Sequence, residues 1–185
     1  MKHWDIAIVA FVILLVAAGV VLFFSSDPPI GNTTVTDIDR YMKVEPYVRE
    51  LMKKSYAEVL PASIPDDCAP EYYYSYQCNY DGDMYFTVYL RLDSMRSETF
   101  EAELRRLQGI PEARRSASGD AEYIILSLPE LEEYFSESVS LRGFRFELAE
   151  IDESRSAIRY LISYQRDNQH IPAMLPEMLE GLRER

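Results

Sequence analysis

Hydrophobicity along this chain comes in three textures. Residues 6–24, IAIVAFVILLVAAGVVLFF, carry no charged or polar side chain. Residues 25–36, SSDPPIGNTTVT, are polar and rich in turn formers. From there to the end, apolar positions recur at intervals of three to four residues or of two, the periods of a one-sided helix and a one-sided strand.

The first texture predicts a membrane anchor. At ~1.5 Å per residue, a helix over residues 6–24 nearly covers the ~30 Å hydrocarbon core of a bilayer. Trp4 stands at one end, where an amphipathic ring suits the headgroup region. The run is longer than a signal-peptide core and ends FFSSD, without a small-x-small cleavage pair. Pro28 and Pro29 then stop the helix. The expected organisation is a cytoplasmic terminus at 1–5, a transmembrane helix serving as signal anchor at 6–24, a tether at 25–36 and an extracytoplasmic domain at 37–185.

In that domain, Thr36 and Asp39 have the spacing of a capping box, and Pro46 opens a helix carrying Val48, Leu51, Met52 and Val59 on one side. The stretch 71–93, EYYYSYQCNYDGDMYFTVYLRLD, then changes period. Met84, Phe86, Val88, Leu90 and Leu92 alternate with Tyr85, Thr87, Tyr89 and Arg91, the pattern of a half-buried strand. In the run before it Tyr72, Tyr74, Tyr76 and Cys78 occupy the even positions. A two-residue Asp81-Gly82 turn sets odd against even; a loop of odd length keeps both apolar sets on one face. The alternation therefore predicts a hairpin with the three-residue loop Tyr80-Asp81-Gly82. Tyr73, Tyr85 and Tyr89 fall on its outer face.

Further on, the pattern predicts a helix from Ser97 with Phe100, Leu104 and Leu107 buried, a polar loop over 112–120, a strand over 122–128 and a short helix in PELEEYF. A second hairpin follows. Phe144, Phe146 and Leu148 share parity with Ile158, Tyr160, Ile162 and Tyr164, so the DESRS connection is expected to be of odd length, and one register consistent with that sets Glu147 opposite Arg159. The tail ends in an amphipathic helix with Leu175, Met178, Leu179 and Leu182. The fold class read from this is α+β: an N-terminal transmembrane helix, then one mainly antiparallel sheet of about five strands with helices packed on one face. Phe86, Val88, Ile124, Phe146, Leu148 and Ile162 are expected in one core, with Gln77, Thr87 and Arg159 more exposed.

Charge narrows the partners. The chain has 31 acidic against 19 basic side chains, net −12, and only Lys2 and Asp5 of these precede Asp27. So acidic a domain is unsuited to nucleic acid or to anionic lipid surfaces. Lys2 and the terminal amine favour keeping the N-terminus in the cytoplasm, and the domain outside. The two cysteines, Cys68 and Cys78, fit a disulfide in that compartment; two buried free thiols are the alternative. Asn32-Thr33-Thr34 is a glycosylation sequon.

Chemistry is hard to find. His170 is the one histidine beyond the anchor, and no G-x-S-x-G, H-E-x-x-H or phosphate loop occurs. Residues 79–83, NYDGD, lack the sixth-position glycine and twelfth-position glutamate of a calcium loop. Glu130, Glu132 and Glu133 lie on a charge-rich helix, whose ordinary role is solvation. No cofactor or metal is implied. The expected function is a membrane-anchored binding or assembly module engaging a protein partner near the membrane surface. The expected contact surfaces are Tyr73, Tyr85 and Tyr89, and the terminal helix with Met174, Met178 and Leu182. The alternatives are an extracytoplasmic enzyme using carboxylates and a domain facing the cytoplasm.

Overall fold

A computed structural model describes residues 33–45, 58–78, 84–119, 121–141, 143–168 and 174–183. The period-two segments form the strands β1 (Thr33–Val35), β2 (Ala69–Cys78), β3 (Met84–Asp93), β4 (Arg114–Ser118), β5 (Ala121–Ser127), β6 (Phe144–Asp152) and β7 (Ala157–Gln165). The helices are α1 (Ser97–Gln108), α2 (Leu131–Tyr134) and α3 (Met174–Arg183), with a further helical stretch at 41–45. The strands make one sheet in the order β1-β2-β3-β7-β6-β5-β4, every neighbouring pair antiparallel.

The chain thus departs from the expected sheet of about five strands with helices on one face: among the described residues there are seven strands, and helices cover both faces. Two strands appear where polarity masked them. Thr33–Val35, assigned to the tether, pairs with Val35 opposite Tyr74; Arg114–Ser118, assigned to a loop, pairs with β5. Both are edge strands, and a polar edge strand shows little periodicity because water reaches it.

Among the described residues no helix is long and apolar enough to cross a membrane; the expected span at 6–24 lies outside them. Asn32, His170, the loop 79–83 and most of the helix after Pro46 lie outside them too.

The first hairpin has the expected register. Tyr76 faces Phe86, Tyr74 faces Val88, and the last pair, Cys78 with Met84, leaves an odd number of residues between the strands. The second does not. Glu150, not Glu147, faces Arg159, and Glu147 faces Ile162. The connection is a four-residue loop, 153–156, because Asp152 caps it: its side chain accepts from Arg155 N at 3.2 Å and from Ser154 Oγ at 2.6 Å, and Ser156 turns left-handed at φ 48°. The resulting even-length loop puts odd positions against even ones.

That change of parity divides the core in two. One face carries Tyr74, Phe86, Val88, Leu90, Ile124, Ile158, Tyr160 and Ile162 beneath α1, whose Phe100 and Leu107 are buried as predicted. The other carries Tyr89, Phe144, Phe146, Leu148 and Leu161 beneath α2 and α3. Phe146 and Leu148 are therefore buried, but across the sheet from Phe86 and Ile162. Gln77 is exposed as expected, whereas Arg159 is only partly exposed and Thr87 is fully buried in a hydrogen-bonded group with Ser163 and Gln165. Helix α1 joins β3 to β4 across four inter-strand steps.

Candidate functional site

Helix α3 forms the roof of the site. Leu175, Met178, Leu179 and Leu182 recur at helical spacing and are buried against the second face of the sheet. Met178 is 1% exposed and Leu182 9%, so this helix, expected to offer a contact surface, spends its apolar stripe on the protein's own sheet. Tyr85 is likewise buried, its hydroxyl donating to Asp167 Oδ2 at 3.2 Å.

Where α3 begins, it overhangs the sheet without filling the space. A cleft of 520 Å³ remains, lined by Glu71 and Tyr73 of β2, Tyr89 and Arg91 of β3, Met174 and Glu177 of α3, with Thr36, Ile38 and Pro70 at its rim. Of the expected contact residues, Tyr73, Tyr89 and Met174 meet here. Register explains the wall: Tyr73 is paired directly with Tyr89, and Glu71 with Arg91, on the same face. The volume lies in the range of small-ligand sites.

The roof is tied down by charge. Arg159 of β7 donates through one Nη to Glu177 Oε1 at 3.1 Å and through the other to Glu150 Oε1 of β6. Arg91 pairs with Asp93, Nε to Oδ2 at 2.8 Å, rather than with Glu71 opposite it. A second, smaller hollow of 110 Å³ adjoins this cluster, lined by Arg91, Asp93, Glu150, Asp152, Arg155, Ala157, Arg159 and Glu177. It exists because small Ala157 separates Asp152 of β6 from the end of β3.

These environments set the protonation states. Burial raises Tyr89 to about 12, and the neighbouring Glu71 charge adds to the rise, so its hydroxyl stays protonated at neutral pH. Burial also lifts the Glu150 carboxyl above its usual 4.5, outweighing the opposing pull of Arg159. Burial works against the Arg159 charge in turn, but the hydrogen bond and charge of Glu150 more than offset it. The arrangement holds charges in place.

The disulfide expectation does not survive the backbone. Cys78 is the last residue of β2 and Cys68 directly precedes its first, Ala69. Ten extended residues span ~30 Å, far beyond the ~7 Å limit between bridged Cα atoms. Cys68 is a free thiol whose Sγ donates to Pro65 O at 3.1 Å, and burial raises it above the ordinary thiol value. Among the described residues no group of three metal-ligating side chains occurs. Glu133 accepts from Ser140 Oγ at 2.9 Å; Glu130 and Glu132 are exposed.

Sequence reasoning missed Glu71, Arg91, Glu150, Arg159 and Glu177. A signal was present: β3 ends RLD and β6 ends EID, each with charges flanking a buried aliphatic residue, and β7 begins AIR, with a charge following one. Only the strand order reveals that these three segments lie side by side. Comparison of the chain with protein-family models, with curated proteins and with solved structures gives no match.

Proposed function

We propose that the folded domain is a binding module, held at a membrane by the apolar run 6–24 and facing away from the cytoplasm, that receives part of a protein partner in the cleft beneath α3. The observation carrying this reading is the cleft itself: a 520 Å³ space with a paired Tyr73–Tyr89 wall and a roof fixed to the sheet by the buried Leu175, Met178 and Leu179. Aromatic side chains supply contact area at low entropic cost. A roof held by its buried stripe leaves little ordering to be done on binding. The anchor adds effective concentration toward other proteins of the same membrane.

A photo-crosslinking residue in place of Tyr73, in the full-length protein in its own membrane, tests the reading. Capture of a partner from position 73 is expected, with none from position 85, and the capture should be lost when Met174→Trp fills the cleft. No capture from 73, or capture that ignores Met174→Trp, removes the cleft from the function. A reporter fused to the C-terminus that is active only in the cytoplasm refutes the orientation.

A second reading, an enzyme working through carboxylates, draws on the raised Glu150 carboxyl beside the smaller hollow. Its Oε1 is already taken by Arg159. Hydrolytic activity abolished by Glu150→Gln would decide for that reading.

A further inference from the structure

We infer that the cleft is selective for an organic cation, the ammonium or guanidinium end of a lysine or arginine side chain on the partner. This rests on the binding-module reading and specifies the chemistry of its ligand. The charges of the lining point that way. Arg91 is neutralised by Asp93 at 2.8 Å, and Arg159 behind it is held between Glu150 and Glu177. Glu71 is exposed and its carboxylate makes no hydrogen bond or ion pair with any described residue, although Arg91 stands directly across the strand pair from it. Glu177 keeps most of its surface in solvent, its side chain 72% exposed, while contacting Arg159. Uncompensated charge at the cleft is therefore negative.

The wall has the complementary character. Tyr73 and Tyr89 are direct cross-strand partners on the cleft face, and Glu71 lies two residues before Tyr73 on the same face. Aromatic faces beside carboxylates form the arrangement that attracts alkylammonium and guanidinium groups, the ring quadrupole adding to the ionic attraction. Met174 supplies a polarisable surface for the aliphatic stem of such a side chain. At longer range the net charge of −12 draws basic segments toward the domain.

The test uses the full-length protein in neutral detergent micelles and four fluorescent pentapeptides, Gly-Gly-X-Gly-Gly, with X as lysine, arginine, norleucine or glutamate. Lysine and arginine peptides are expected to bind, norleucine at least about fivefold more weakly for loss of the cation, and glutamate more weakly still. Glu71→Gln and Tyr73→Leu should each weaken the lysine peptide by a similar factor, and Glu98→Gln, on exposed α1, should not. Raising salt should weaken binding of the charged peptides. Norleucine binding as tightly as lysine, or Glu71→Gln without effect, overturns the inference. If Met174→Trp still blocks binding in that case, the cleft remains the binding site and only its charge selectivity falls. If no basic peptide binds but fluorescent dansylcholine does, and Glu71→Gln weakens it, the cation belongs to a lipid headgroup and the protein-side-chain assignment is overturned.

Discussion

Arg106 and Glu147 grip the same residue from two directions. Arg106, on α1, donates to the carbonyl of Glu58 at 2.8 Å, and the carboxylate of Glu147, on β6, accepts from the N–H of Glu58 at 2.8 Å. Arg106 also reaches Val59 O at 2.6 Å and forms a forked pair with Glu103, which in turn accepts from Tyr160 OH at 2.8 Å. The irregular segment 58–60 thereby seals the first core, with Val59 and Leu60 fully buried. A loop over a core is tolerable only when its backbone groups find partners, and these side chains provide them.

Arg106→Ala removes the loop's donors and strands the Glu103 carboxylate, so it should destabilise the fold by ~2–3 kcal/mol. Arg105→Ala, next to it but 70% exposed with one long ion pair, should change stability by less than ~0.5 kcal/mol. Denaturant unfolding of the two variants checks the contrast. Equal effects would mean that the clamp contributes nothing beyond surface charge.

The register of β6 and β7 can be trapped covalently. With Cys68 and Cys78 replaced by serine, a Leu148→Cys, Leu161→Cys variant should oxidise to a disulfide, because these positions face each other. Leu148→Cys with Ile158→Cys, opposite only in an odd-loop register, should stay reduced. Intact-mass measurement reads both outcomes. The reverse result would restore a single core.

The native cysteines should remain unbridged within one chain. Unreduced protein alkylated after denaturation is expected to gain two labels. A mass two hydrogens lighter and unlabelled would contradict the extended path of β2 between them.

Glu150 ties stability to pH with a sign opposite to that of most carboxylates. Its folded pKa lies above the 4.5 of the free side chain, so the native state holds the proton more tightly than the unfolded chain does. Stability from this group is therefore greatest at low pH and falls as pH rises from 4.5 through the raised value. Relative to a Glu150→Gln variant, the wild type should lose stability across that window. Carbon-13 carboxyl titration supplies the site's own midpoint. A midpoint at or below 4.5 refutes the assignment, and Asp152, whose carboxyl is lowered chiefly by the Ser154 hydroxyl, serves as the contrasting case.

What the sequence determined by itself was local. Alternation in residues 72–78 and 84–92 dictated β2, β3 and their pairing, since only one parity buries both apolar sets together. Helical spacing marked the buried Phe100 and Leu107 of α1 and the stripe of α3. Strand alternation placed Tyr73 and Tyr89 on one face, which became the cleft wall. Tertiary structure decided the rest. In β6 both faces are buried, Glu147, Ala149 and Ile151 on one and Phe146, Leu148 and Glu150 on the other, so a one-sided alternation misled there, and the Asp152-capped turn chose the register. The polar edge strands β1 and β4 became strands because neighbouring backbones offered hydrogen bonds, which no side-chain pattern records. The charged residues of the site stand far apart in sequence. Arg91, Glu150, Arg159 and Glu177 converge because β7 inserts between β3 and β6 and α3 returns across them, a meeting set by strand order and not by spacing.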